Sequence, residues 1–372
     1  MNDQSTGPSH DLDAHAGHEH DPNGGCCGPT RRNFLKNTAL VTGGMLFTGT
    51  LASRALQAQA AGPMAGQRID THFHFYPPEL GDALGGGQAS RWSPKIALDQ
   101  MDKNGVLSSV CSLSSIPEDW FRKDKDWLRK TVRTVNDYGA GMVRNQPKRF
   151  GLFAFLSMID VDGSLKEIEY ALDTLKADGI GIATSYGDKW PGDPAFAPIF
   201  DELNRRKAVV YFHPNGPFCC GGNLVANVGP SWIEYPHDTS RAVLSLLFNG
   251  TLAKHRDIKF LFSHGGGTIP MLAGRIASSS GKSVKNLAQV APDGVIAEFR
   301  RLHYDTANAT SAPTLSALTK LIPLSQIMFG SDYPYYTEDE NIAELSKFPF
   351  SASEFISIYR ENALRLVPRL KA

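Results

Sequence analysis

From residue 66 onward the chain alternates short β-branched or aromatic runs with longer amphipathic stretches, eight times in succession. The runs predict strands near 68–73, 106–112, 150–156, 179–184, 208–213, 258–263, 302–306 and 326–331. Helical patterns lie near 94–103, 119–146, 162–177, 194–206, 238–255, 268–280 with 292–300, and 311–321; 338–347 and 351–366 follow the last strand. A strand followed each time by a helix returns parallel to its predecessor. Eight such units predict an α/β fold, a (β/α)8 TIM barrel. Ser93-Pro94 supplies an N-cap and a proline at the first helical position. Asp178-Gly179 reads as the end of a helix turning into strand 4. No repeat or Pro-Gly-rich linker divides residues 61–372, so one domain is expected there.

Residues 1–60 read differently. Thr30-Arg31-Arg32-Asn33-Phe34-Leu35-Lys36 precedes a modestly apolar stretch from Ala39 to Ala52, and Ala58-Gln59-Ala60 has the small-x-small pattern of a cleavage site. Paired arginines before Phe-Leu-Lys resemble a twin-arginine export signal, which implies the export machinery as a partner and a periplasmic or exported location. The apolar stretch is shorter than the ~20 residues of a spanning helix, so no stable membrane insertion is expected. His10, His15, His18, His20, Cys26 and Cys27 lie ahead of the arginines. That composition binds metal in other settings, but here it belongs to a disordered leader and is kept out of the active site.

Charge and cysteine content narrow the partners. With 38 basic and 38 acidic side chains the chain is neutral, and no Lys/Arg run offers a phosphate footprint, which argues against nucleic acid. Five cysteines are too few and too oddly spaced for a disulfide scaffold.

Chemistry-bearing residues recur at one place in the pattern, the ends of strands. His72 and His74 close strand 1, His213 closes strand 5, His264 follows strand 6 and Asp332 follows strand 8. Side chains at i and i+2 of a strand share a side, so His72 and His74 can reach one ion. In a barrel all these strand ends meet at the C-terminal mouth, where active sites lie. Imidazole and carboxylate ligands suit Zn²⁺ first, and also Mn²⁺ or Co²⁺.

The motifs Ile69-Asp70-Thr71-His72-Phe73-His74, His213-Pro214, Ser263-His264-Gly265-Gly266-Gly267 and Phe329-Gly330-Ser331-Asp332-Tyr333-Pro334 resemble those of the amidohydrolase superfamily. The resemblance is to its decarboxylase branch, which includes aminocarboxymuconate semialdehyde decarboxylase. Trp92-Ser93-Pro94, Asp193-Pro194-Ala195-Phe196, Asp238-Thr239-Ser240-Arg241 and Leu302-His303-Tyr304-Asp305 look closest to 6-methylsalicylate decarboxylase-like proteins. The resemblance implies that His72, His74, His213 and Asp332 hold a single divalent ion, with His264 beside it. Binuclear relatives carry a carbamylated lysine at the end of strand 4. Here Ile182-Ala183-Thr184-Ser185-Tyr186 has none, so one ion is expected.

The implied activity is non-oxidative release of CO2 from a small aromatic 2-hydroxy acid or related enol-type carboxylate. Asp332 and His264 are the expected proton carriers. The substrate carboxylate should meet an arginine, which grips it as a bidentate fork. Arg275 is favoured, and the resemblance has it act across a homodimer interface; Arg241 and Arg91 are rivals. Trp92, Phe218, Trp232, Tyr333 and Tyr336 are read as loop or core aromatics available for a wall, Cys219 and Cys220 as packing residues, and His237 and His303 as structural. The same parts would also serve a lactonase-like hydrolase, an amidohydrolase or a hydratase. A non-catalytic periplasmic binding protein is the third reading.

Overall fold

A computed structural model describes residues 64, 66–81, 84, 87–114, 116–215 and 227–371. The predicted leader over 1–60, Phe218, Cys219 and Cys220 lie outside the described residues. Eight parallel strands follow one another around a single sheet in the order β1 to β8. They are β1 Arg68–His74, β2 Val106–Ser112, β3 Phe150–Phe155, β4 Gly179–Ala183, β5 Val209–His213, β6 Lys259–Phe262, β7 His303–Asp305 and β8 Ile327–Met328. One principal helix follows each strand: α1 Pro94–Lys103, α2 Lys125–Asn145, α3 Val161–Glu169, α4 Ala197–Arg205, α5 Glu234–Phe248, α6 Ile269–Ser283, α7 Ala312–Leu321 and α8 Glu338–Leu345. This is the expected (β/α)8 barrel.

The ring is nearly closed by the chain beyond β8. Thr71 N–H donates to the Phe329 carbonyl (2.9 Å), Asp332 N–H to His72 (2.8 Å) and His74 N–H to Tyr333 (2.8 Å). The predicted strand 326–331 is shorter as a ladder, Ile327–Met328, and Asp332 beyond it takes left-handed backbone. A Cβ on Gly330 would lie 2.8 Å from that of His72 and 3.0 Å from that of Asp305, so only glycine admits the approach of β1 and β7 here.

The barrel interior is built from alternate strand residues: Ile69, Val110, Phe153, Val209, Tyr211, Leu261 and Met328. Phe153 and Tyr211 stack at 5.2 Å. The strand between them, β4, makes room with Gly179, where a Cβ would lie 3.0 Å from the Phe153 ring. Ala363, Leu364, Val367 and Leu370 pack against this cluster from the C-terminal segment. A larger apolar layer, including Ile180, Ile182, Phe212, Phe260, Leu246 and Leu247, lies between strands and helices.

The predicted caps form. Ser93 Oγ accepts the Ile96 N–H at 3.3 Å with Pro94 at the first helical position. Gly179 opens β4 as expected, but the helix ahead of it ends earlier, as a π turn at Tyr170–Thr174, and Asp178 accepts the Leu152 N–H and a bidentate Arg369. Among the described residues no helix is long and apolar enough to cross a membrane.

Candidate metal centre

His72 and His74 end β1 on the interior side, and the i, i+2 spacing sets their rings 5.0 Å apart. Their Nε2 atoms converge to 3.2 Å. Asp332 Oδ1 lies 3.1 Å from His72 Nε2 and 3.0 Å from His74 Nε2, with His213 Nε2 at 3.8 Å. The four ligand atoms all fall within 4.8 Å of one another, and all four residues are buried. Ligands about 2.0–2.1 Å from a tetrahedral ion stand about 3.4 Å apart, so the set fits one divalent ion.

Two further observations support that fit. Both ring nitrogens of His213 are buried without a hydrogen-bond partner, a costly state that coordination by Nε2 relieves on that side. Two buried carboxylates, Asp305 and Asp332, also face His72, at 3.0 and 3.1 Å. Burial alone would lower the pKa of His72, but Asp305 and then Asp332 outweigh it and raise the value to about 10. Burial pushes His74 and His213 down instead, His213 further because His74 adds to it. Asp332 is held well below the usual carboxylate range; burial opposes this, and the charge of His72 together with the neighbouring imidazoles of His213 and His264 prevails.

Asp332 divides its two oxygens. Oδ1 faces the ligand imidazoles, while Oδ2 accepts Asn308 Nδ2 at 2.9 Å and lies 3.2 Å from His264 Nε2. Asp332 and His264 both adopt left-handed backbone, φ 68° and 53°. Each is tied in place by its own N–H: Asp332 to the His72 carbonyl, and His264 to Asp305 Oδ1 at 3.0 Å. Asp70 Oδ1 accepts the N–H of His72 and of Ser331, which fastens the start of the site to its end.

The site opens into a cavity of about 950 Å³ bordered by His213, His264, Asn308 and Asp332 on its floor and by Trp232, Tyr235, Met271, Tyr335 and Tyr336 among its walls. That volume suits a small organic ligand. Trp232 and Tyr336 line it, as the sequence allowed. Trp92 packs against Tyr76, and Tyr333 stacks on Phe73 at 4.7 Å, so both are structural. His237 and His303 each place Nδ1 against a backbone carbonyl, of Ile233 and Phe260, away from the ligand set.

No arginine or lysine is among the described residues that line the cavity. Arg275 is exposed on α6, about one turn beyond the cavity-lining Met271; Arg91 is exposed in the short helix Gln88–Arg91. Arg241, on α5, is half-buried with Nη1 enclosed and without a partner among the described residues.

The end of β4 carries no lysine. Its place is held by a hydroxyl cluster: Asp238 Oδ2 accepts Thr184 Oγ1 (2.5 Å) and Ser185 Oγ (2.8 Å), and Oδ1 accepts Trp190 Nε1 (2.8 Å). Thr184 Oγ1 in turn accepts the Asn215 N–H, two residues beyond His213. Asp238, Asp305 and Asn308 were not singled out from the sequence as site residues. Their partners lie far away in the chain, and no local spacing signals them.

The sequence profile of the family described as Amidohydrolase matches residues 69–369. The 6-methylsalicylic acid decarboxylase of Aspergillus aculeatus is 35% identical over 325 residues, covering 82% of this chain and 97% of the relative. The 2-amino-3-carboxymuconate-6-semialdehyde decarboxylase of Dictyostelium discoideum is 26% identical over 274 residues, 73% of this chain and 74% of the relative. Among solved structures, a dihydroxybenzoic acid decarboxylase from Polaromonas sp. JS666, with bound manganese and the inhibitor 2-nitroresorcinol, superposes with a TM-score of 0.73. It is 22% identical, and the match covers 82% of this chain and 98% of that one.

Proposed function

Because the chain belongs to the amidohydrolase family, we propose that it is a metal-dependent carboxy-lyase that releases CO2 from a small aromatic 2-hydroxy acid. One observation carries the reading: Asp332 presents one oxygen to the three-imidazole ligand set and the other to His264 and Asn308, on the floor of an aromatic-walled cavity. His72, His74, His213 and Asp332 hold the ion, and zinc is the first choice by ligand type. When bound, a divalent ion supplies positive charge that orients the substrate's phenolic oxygen and carboxylate and favours their ionised forms.

The residues of the chain then move two protons. The phenol's proton passes to Asp332 and from it to the ring carbon that bears the carboxylate. The electron pair of the breaking C–C bond returns to the ring as CO2 leaves, and aromaticity is restored. A proton from solvent, delivered through His264, completes the phenol. His264 Nε2 stands on the cavity-facing oxygen of Asp332, a place suited to that exchange.

Exposed Arg275 and a cavity wall with no described cation together support a homodimer in which Arg275 enters the partner's cavity. Mixing R275A protein with H264N protein and assaying the mixed dimers for recovered turnover tests this. For the leader, Arg31-Arg32 supports export by the twin-arginine route to the periplasm.

The function is tested on purified, metal-loaded protein with a panel of 2-hydroxybenzoates. Stoichiometric CO2 and the matching phenol are expected. Hydrolysis of lactones with no CO2 from any acid in the panel would overturn the reading. Metal analysis of the protein as purified decides between zinc, manganese and cobalt.

A further inference from the structure

Asp305 ends β7, is fully buried, and makes three contacts that span the site. Its Oδ2 lies 3.0 Å from His72 Nδ1. Its Oδ1 accepts two backbone N–H groups, of His264 at 3.0 Å and of Ala307 at 3.0 Å. The close approach of β7 to β1 that brings Asp305 to His72 depends on Gly330, whose missing side chain leaves both Cβ atoms room.

We infer that Asp305 is a positioning residue with two separable tasks: it fixes the tautomer of the ligand His72 and anchors the strained backbone of His264. The inference rests on the four-residue metal centre proposed above. A neutral imidazole binds an ion through the nitrogen that carries no proton. Nε2 of His72 faces the other ligands, so the proton must sit on Nδ1. Asp305 Oδ2, 3.0 Å from Nδ1, is placed to accept that N–H and so keeps the proton there. The second task lies on the other oxygen. His264 has φ 53°, and its N–H bond to Oδ1 helps hold a conformation that a residue with a side chain adopts at a cost.

The two tasks separate chemically. In D305N the side-chain carbonyl stays with the two backbone donors, and the NH2 group turns to His72. A donor there demands the Nδ1 lone pair and moves the proton to Nε2, against the ion. D305A removes both tasks. Zinc affinity is measured by competition with a colorimetric chelator on wild-type, D305N and D305A protein, beside melting of the metal-free forms. Turnover per bound ion is measured with the 2-hydroxybenzoate on which the wild type is most active.

D305N is expected to bind zinc about 10–100-fold more weakly. Its metal-free form should melt with the wild type, and excess zinc should restore its turnover per bound ion. D305A is expected to share the weaker binding and to lose in addition up to roughly 100-fold in turnover per bound ion, as His264 is released. Wild-type zinc affinity in D305N overturns the tautomer role; wild-type turnover per bound ion in D305A overturns the anchor role. If D305A does not fold, restored turnover per ion in D305N supports the anchor, and its loss overturns the separation. A failure of the wild type to decarboxylate any acid refutes the proposed reaction yet leaves the affinity comparison decisive for Asp305.

Discussion

Single residues divide the labour of the centre by which atom they offer. Asp332 gives Oδ1 to the ligand set and Oδ2 to His264, so loss of His264 should not cost the ion. H264N is expected to retain its metal, measured by elemental analysis, while turnover falls by roughly 10²–10⁴-fold, the usual contribution of a positioned proton carrier. Near-normal turnover would remove His264 from the chemistry. The ligands themselves were legible in the sequence, because each follows a short apolar run at a strand end. Asp305 was not. It sits in a three-residue strand between Tyr304 and Thr306, and its partner His72 lies 233 positions away. Nothing local separates it from an ordinary structural aspartate. The arginines show the opposite limit: residue type pointed to carboxylate binding, but exposure and direction are settled only by packing.

Among the elements, α8 and β1 each carry one member of a second buried carboxyl pair, Glu338 and Asp70. Glu338 opens this helix fully buried, and its Oε2 accepts Asn104 Nδ2. Burial raises its pKa to about 7, and burial followed by the charge of Glu338 raises that of Asp70 to about 8. Both acids thus keep protons in the folded chain at pH values where the unfolded chain has lost them. Below about pH 4 the two states are equally protonated. As pH climbs toward 7 and 8 the folded state binds more protons, so stability falls with rising pH and the loss levels off above the folded values. E338Q keeps an acceptor for Asn104 and removes one of the two titrations. It should be more stable than the wild type at pH 8 by about 1 kcal/mol or more, with a smaller difference at pH 5, as read by denaturant unfolding. An equal difference at both pH values would contradict the assignment.

At this same scale the strands were read almost to the residue, since period and punctuation define them locally. Helix 162–177 was read as one piece but changes to a π turn at Tyr170, and 351–366 does so at Ser357. No local sequence signal marks either change of winding. β8 keeps only two ladder residues, and beyond it Asp332 takes left-handed backbone on its way into the site.

For the whole molecule, ligands from β1, β5 and the turn after β8 bind the ion to opposite sides of the ring. An ion that binds only the folded chain stabilises it by mass action, by about 2.7 kcal/mol at a free concentration of 100 Kd. Chelation should therefore lower the melting temperature, and zinc should restore it. A melting temperature indifferent to zinc, manganese and cobalt alike would mean that the four residues hold none of these ions in solution. The same experiment on a chain starting at residue 61 should give the same shift, since the described ligands all lie beyond the predicted leader.

The closure of the ring has a consequence for biosynthesis. His72 and His74 emerge early from the ribosome, but the oxygen that completes their chelate belongs to Asp332, near the other end of the chain, and reaches them only when Asp332 N–H has joined the His72 carbonyl. A nascent or truncated chain exposes an imidazole pair without its carboxylate. Tight capture of an ion at these four residues therefore requires that the first and last strands of the barrel have met.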